Sequence, residues 1–122
     1  MSKRDNIIEV GAESFDQAIA EHALVVVDFW APWCVPCKAF ATVIDRVAAQ
    51  HPDVMFLTVD IDKEPALAEE FEVRSVPSVM ILRDRVVVFA DSGALGESAL
   101  TELLQQAAAI DPIELKKNIA ES

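Results

Sequence analysis

The sequence predicts an α/β domain with a mixed central β-sheet covered by helices on both faces. Three observations carry this expectation. Apolar runs of strand length alternate with segments of helical periodicity. The run Leu24–Trp30 is apolar throughout apart from Asp28, as expected of a strand buried on both faces of a parallel sheet. Val79–Leu82 and Val86–Phe89 are separated only by Arg83, Asp84 and Arg85, which predicts a hairpin and so an antiparallel part of the sheet.

Taken in order, Ile7, Ile8 and Val10 mark a short first strand. Ser14–His22 places Phe15, Ala18, Ile19 and His22 at helical spacing. After the Leu24–Trp30 strand, Pro32 and Pro36 interrupt the chain. Val35–Gln50 carries Phe40, Val43, Ile44, Val47 and Ala48 on one stripe, the pattern of an amphipathic helix. Pro36 falls in its first turn, where a missing N–H does no harm. His51-Pro52-Asp53 ends that helix, Val54–Val59 is a strand, Pro65–Phe71 a short helix and Glu97–Ala109 the last long one. Asp111-Pro112 can restart a helix with Asp111 as its cap. Leu115 and Ile119 could then pack back, and Lys116 and Lys117 would suit its C-terminal end. Residues 1–110 are therefore read as one domain and 111–122 as a short helical extension.

Composition narrows the function. A chain of 122 residues, 52% of them apolar, can build a core without disulfide staples and is too apolar for disorder. The net charge of −11, with ten scattered Lys and Arg, argues against nucleic-acid binding and against an anionic membrane surface. It reads as solubility, or as steering of a basic partner. No apolar stretch follows Lys3 and Arg4, as a signal peptide would require, and no run is long enough to span a bilayer. A cytoplasmic setting is the expectation, and thiols there are kept reduced.

The only two cysteines, Cys34 and Cys37, lie at a strand-to-helix junction inside a strand–helix–strand pattern, a context that makes Cys-x-x-Cys a redox signal. Free N–H groups and the macrodipole at a helix start stabilise a thiolate at Cys34. Cys37, nearly one turn on, can reach back to it. Zinc would need two further ligands, and His22 and His51 lack the spacing. A purely structural disulfide around so short a loop would add little stability. Two inert core thiols remain a further reading. Asp28 is the other anomaly, since a carboxylate amid strand residues is expensive to bury. It is either a buried functional acid with a raised pKa, or it sits on an exposed edge or beside a Lys.

The run Asp28-Phe29-Trp30-Ala31-Pro32-Trp33-Cys34-Val35-Pro36-Cys37-Lys38 resembles the active-site segment of the thioredoxin family. Val59-Asp60-Ile61-Asp62 is similar to that family's third strand and its end. Val73-Arg74-Ser75-Val76-Pro77-Ser78 is similar to its cis-proline segment, and Gly93-Ala94-Leu95 to its glycine before the last helix. The resemblance runs from about Ile7 to Ala108 and implies a thioredoxin fold. It implies a protein-disulfide reductase in which Cys34 attacks, Cys37, the more buried of the two, resolves, and Asp28 accepts the proton of Cys37. It further implies that Trp33, Val76, Pro77 and Gly93 line a groove for an extended substrate. No cofactor is expected beyond the redox-active Cys34–Cys37 disulfide. The implied partners are disulfide-bearing client proteins and a flavin-containing thioredoxin reductase, and the chain is expected to be a monomer.

Several positions depart from the family pattern. Val35 stands where most thioredoxins have Gly, Thr58 where many have a Lys near the buried acid, Thr42 in place of a helix-kinking Pro, and Ser92 in place of an apolar groove residue. Pro36 leans to the reducing side. The alternative class is a thioredoxin-like holdase, although 12 tail residues hold no helical repeat. An oxidase or isomerase would call for an export signal.

Overall fold

The structure is a computed structural model, in which residues 5–115 are described. Nine elements follow the expected order: β1 (Ile7–Glu9), α1 (Ala12–Glu21), β2 (Leu24–Trp30), α2 (Val35–Gln50), β3 (Met55–Asp60), α3 (Pro65–Glu70), β4 (Ser78–Arg83), β5 (Val86–Ser92) and α4 (Glu97–Ala108). The five strands form one mixed sheet in the order β1-β3-β2-β4-β5. β3 runs parallel to both β1 and β2, whereas β4 is antiparallel to β2 and β5.

β2 is the central strand, which is why its sequence is so uniformly apolar. Period-two alternation divides it between two cores. Val25, Val27 and Phe29 pack with Phe15 of α1 and Leu67 of α3 on one face. Val26 packs on the other with Phe40, Ile44 and Val47 of α2 and Leu100 and Leu104 of α4. Fully burying one such side chain contributes roughly 1.5–3 kcal/mol, so helices are held on both faces. The same parity assigns Asp28 to the α2 face, where the cysteines are.

The differences from the sequence reading lie at element ends. α1 starts two residues earlier than Ser14, at Ala12, with Gly11 as its N-cap and Ser14 as its third residue. The Ser14 Oγ, inside the first turn, accepts the Gly11 N–H at 3.0 Å. β5 continues past Phe89 through Ala90, Asp91 and Ser92, all exposed, because β4 continues opposite them with Ser92 paired to Ser78. The hairpin turns on Asp84 (φ 49°) and Arg85 (φ 73°), both left-handed, as a tight two-residue loop requires. A register shift between Ile81 and Leu82 leaves Val88 as an extra residue in β5.

Asp111 Oδ1 accepts the Ile113 N–H at 2.9 Å, the Leu115 N–H donates to Asp111 O at 3.0 Å, and Leu115 is buried. The expectations for Lys116, Lys117 and Ile119 fall outside the described residues. Arg83 closes the end of α4, its Nη1 donating to the carbonyls of Ala107 (2.9 Å) and Ile110 (2.9 Å). Among the described residues, no helix is long and apolar enough to cross a membrane.

Candidate active site

β2 delivers the chain to the end of the sheet and α2 carries it away, with a turn closed by the Cys34 N–H donating to Ala31 O at 3.1 Å. Cys34 is the N-cap of α2, in extended conformation. Pro36, inside the first turn, has no N–H to offer, and the Cys37 N–H is instead donated to Cys34 Sγ at 3.2 Å. An orphan donor of the helix start is thereby aimed at the sulfur, where it would stabilise a thiolate. Cys34 and Cys37 are joined in a disulfide, with Cα atoms 5.3 Å apart.

The sequence reading has Cys37 as the more buried cysteine. The structure corrects this, for both cysteines are only 4% exposed. The reason is packing from several sides: Ala31 is buried with the pair, and Trp30, Ile61 and Val76 close on it. Val35, by contrast, points outward at 73% exposure. The branched side chain that replaces a glycine thus lies on the surface beside the disulfide and does not enter the core.

Asp28 is buried, 5% exposed, and burial pushes its pKa from 3.8 up to about 7. This removes the exposed-edge alternative. Its β3 neighbour in register is Thr58, a residue with no charge to offer. Asp28, Thr58 and Cys37 line one cleft, together with Trp30, Lys38 and Ala41. The carboxyl and the second cysteine therefore share a space, one from the strand and one from the helix.

Val76 packs against the disulfide cluster, and the Val76–Pro77 peptide bond is cis. Pro77 O accepts the Gly93 N–H at 2.8 Å, which ties the loop before β4 to the end of β5. Gly93 has φ +106°, and a Cβ there would meet no atom within 4 Å. The requirement for glycine is thus conformational and not steric. Trp33 is 66% exposed, and its Nε1 donates to Asp62 Oδ2 at 3.1 Å. Asp62 is held in turn by buried Asp60, whose Oδ1 accepts the Asp62 N–H at 2.9 Å.

Cys34, Cys37, Val76 and, across the cleft, Asp28 are thus brought together, Pro77 and Gly93 are bonded to each other, and Trp33 stands at the rim. Sequence reasoning missed the Asp60–Asp62–Trp33 chain, whose only trace was a pair of acids following a strand. Among the described residues, no group of three or more His, Cys, Asp or Glu is placed to hold a metal.

Residues 6–106 match the family model described as Thioredoxin. A Streptomyces coelicolor protein provisionally named thioredoxin 2 is 44% identical over 114 residues, covering 93% of this chain and 85% of that one. A thioredoxin of Mycolicibacterium smegmatis is 37% identical over 111 residues, covering 88% of this chain and 99% of its own. Among solved structures, a mutant thioredoxin from Halobacterium salinarum superposes with a TM-score of 0.82 at 28% identity, covering 92% of this chain and 99% of that chain. Oxidised mitochondrial thioredoxin 3 from Saccharomyces cerevisiae superposes with a TM-score of 0.77 at 28% identity, covering 86% and 99%.

Proposed function

This chain belongs to the thioredoxin family, and from that premise we propose how the labour of disulfide reduction is divided among its residues. The protein is a thiol–disulfide oxidoreductase that reduces protein disulfides through the Cys34–Cys37 pair. In our reading Cys34 is the nucleophile. In the reduced protein its thiolate attacks one sulfur of a client disulfide, forms a mixed disulfide and expels the other client sulfur as a thiolate. Cys37 then loses its proton to the ionised Asp28 carboxylate and attacks Cys34 Sγ. The mixed disulfide breaks, the second client thiolate leaves, and two electrons have passed from the cysteine pair to the client.

The observation that carries this assignment is the Cys37 N–H donated to Cys34 Sγ at the start of α2. That donor favours the thiolate at Cys34. The shared cleft supports Asp28 as acceptor, because a carboxyl with a pKa of about 7 matches the proton affinity that transfer at neutral pH requires. Trp33, Val76, Pro77 and Gly93 are read as the client groove, with exposed Trp33 supplying apolar contact and the loop backbone supplying hydrogen bonds. Thioredoxins work with a reductase and with disulfide clients. We assign this chain a flavin-containing thioredoxin reductase as donor, a cytoplasmic setting and a monomeric state.

The test is a pair of variants. Cys34→Ser is expected to abolish turnover, and Cys37→Ser to accumulate covalent client complexes that dithiothreitol releases. Multiple-turnover reduction of insulin by Cys37→Ser would overturn the assignment. The same assay separates a holdase, which would suppress aggregation without reducing anything.

A further inference from the structure

Past the end of α3 at Glu70, the loop 71–75 and the sheet face beneath it leave an open groove of about 290 Å³. Small residues make the room. Phe29, Ser78 and Ser92 form one cross-strand row, and Val27, Met80 and Ala90 form the next on the same face. Ser78, Ala90 and Ser92 stop short, so the groove opens above buried Phe29 and Met80. Its accessible apolar walls are Phe71 and Val73, both half-buried, and Ala90, exposed. The Phe71 ring is backed by Phe15 and Phe29, with centroids 5.3 and 6.2 Å away. Glu72 turns the chain at φ 55°, and the Val73 N–H donates to Ala68 O at 2.8 Å. A non-glycine residue held in that region is strained, and its turn is what sets Val73, Arg74 and Ser75 along the groove. Arg74 is a second, independent observation. Arg46 and Arg83 each engage a carboxylate, and Arg85 a backbone carbonyl. Arg74, exposed at the rim, engages none of the described residues, in a chain with 21 acidic residues to 10 basic ones. The groove also continues the proposed client groove. Ser75 precedes Val76, which packs on the disulfide, and Ser92 precedes Gly93, whose N–H is bonded to Pro77 O.

We propose that this groove is a second client subsite, which seats a large apolar side chain of an extended client segment while Arg74 favours a carboxylate next to that side chain. The occupant rests on the reductase reading, and the subsite deepens it. Val73 lies three positions before Val76, so roughly three residues of extended client, at about 3.3 Å each, separate the seated side chain from the client cysteine. The volume suffices for a leucine, because an apolar cavity of about 150 Å³ already admits benzene. A lysine beside it would meet Arg74 with like charge. Glu72, two residues from Arg74, is the competing charge, so the preference for a carboxylate is modest. Asp91 competes less, because it pairs with Val79 in register and its side chain takes the opposite face of the sheet. The net charge of −11 repels an acidic client at long range, but salt screens that beyond about 8 Å, whereas the contact at Arg74 is local. A second copy of the chain is a poorer occupant, since it brings the whole of that charge.

The experiment is a nitrogen-15 NMR titration of the oxidised full chain, at physiological salt, with the peptide Glu-Leu-Ala-Thr-Ser-Thr-Ala-Leu-Glu. Its central serine stands for the client cysteine, and a leucine lies three residues to either side. Saturable shifts are expected at Phe71, Val73, Arg74, Ala90 and Ser92. Replacing both leucines by serine should weaken binding roughly tenfold. Replacing both glutamates by lysine should weaken it roughly threefold. Ala90→Leu, at an exposed strand position, should fill the groove and abolish the preference for leucine over serine. Arg74→Gln should abolish the preference for glutamate over lysine. Absence of saturable shifts at these residues, equal binding of the leucine and serine peptides, or an Ala90→Leu variant that keeps the preference would overturn the subsite. So would shifts at the same residues on raising the protein concentration alone, which would give the groove to a second copy. A lysine peptide that binds as well as the glutamate one would overturn the role of Arg74. The reductase reading has its own readout: reduction of the same peptide with its cysteine restored and held as a mixed disulfide with glutathione. Failure there would fault that reading, while the titration, which involves no thiol exchange, would still decide the subsite.

Discussion

Replacing Asp28 by Asn removes the ionisation while keeping the shape, and the consequence for stability is set by burial. The native pKa is about 7 and the ordinary value 3.8, with desolvation as the cause. The native state therefore holds the proton more tightly than the unfolded chain does. The stability this gives is fully present below pH 3.8, declines as pH rises through the window between 3.8 and about 7, and is gone above it. Each pK unit is worth about 1.4 kcal/mol, so the wild-type protein gives up on the order of 4 kcal/mol between pH 3 and pH 8 on account of this one group. Asp28→Asn has nothing to ionise and should lose none of it. In urea unfolding of the oxidised protein, the variant is expected to match the wild type within about 1 kcal/mol near pH 4 and to exceed it by roughly 2–4 kcal/mol at pH 8. The same variant should slow the resolving step in single-turnover reduction, because an amide cannot take the Cys37 proton. A stability difference that does not change with pH, or a variant less stable at pH 8, would refute the desolvation account. An unchanged resolving rate would remove Asp28 from the chemistry.

Other expectations follow from packing and turn geometry. Truncation after Ala109 deletes buried Leu115 and the Ile110 carbonyl that accepts from Arg83. It should lower unfolding free energy by about 1–3 kcal/mol while leaving insulin reduction intact, since the residues packed on the disulfide precede the tail; loss of activity in a folded truncate would assign the tail a functional role. Arg85→Gly relieves a left-handed residue with φ 73° and should raise stability by about 0.5–1 kcal/mol, which chemical denaturation can resolve. A destabilised variant would show that the weak Arg85 contact to the Ala20 carbonyl at 3.5 Å outweighs the turn. Trp33→Ala removes an exposed aromatic held by Asp62 and should lower kcat/KM for protein disulfides by roughly tenfold, with little effect on a small disulfide. Equal losses for both substrates would argue against a docking role.

The sequence by itself determined the element order, the sheet class and the chemistry-bearing pair. These are local or periodic signals: an apolar run long enough for a central strand, a helical stripe from Phe40 to Ala48, and two cysteines at a helix start. Asp28 was legible for the same reason, being the one charge in an otherwise apolar strand. Its pKa direction followed from burial, which the flanking residues already implied. Element ends were less legible because they depend on partners distant in sequence. Ser92 is in a strand because Ser78 lies opposite it, and Ser14 is inside a helix because Gly11 can serve as the cap.

Only the tertiary structure decided how the site is enclosed. The equal burial of Cys34 and Cys37 arises from Ile61 and Val76, which come from two loops far along the chain. The hydrogen bond from Gly93 to Pro77 likewise joins the end of β5 to the residue before β4. The chain Asp60–Asp62–Trp33 requires β3 to end beside the turn that follows β2. The cleft that Asp28, Trp30 and Thr58 share with Cys37 depends on α2 crossing β2 and β3 at a distance that leaves room between them. Periodicity tells which face a side chain takes. How closely a second element packs on that face depends on the summed volumes of residues from the whole chain, and no local pattern records that.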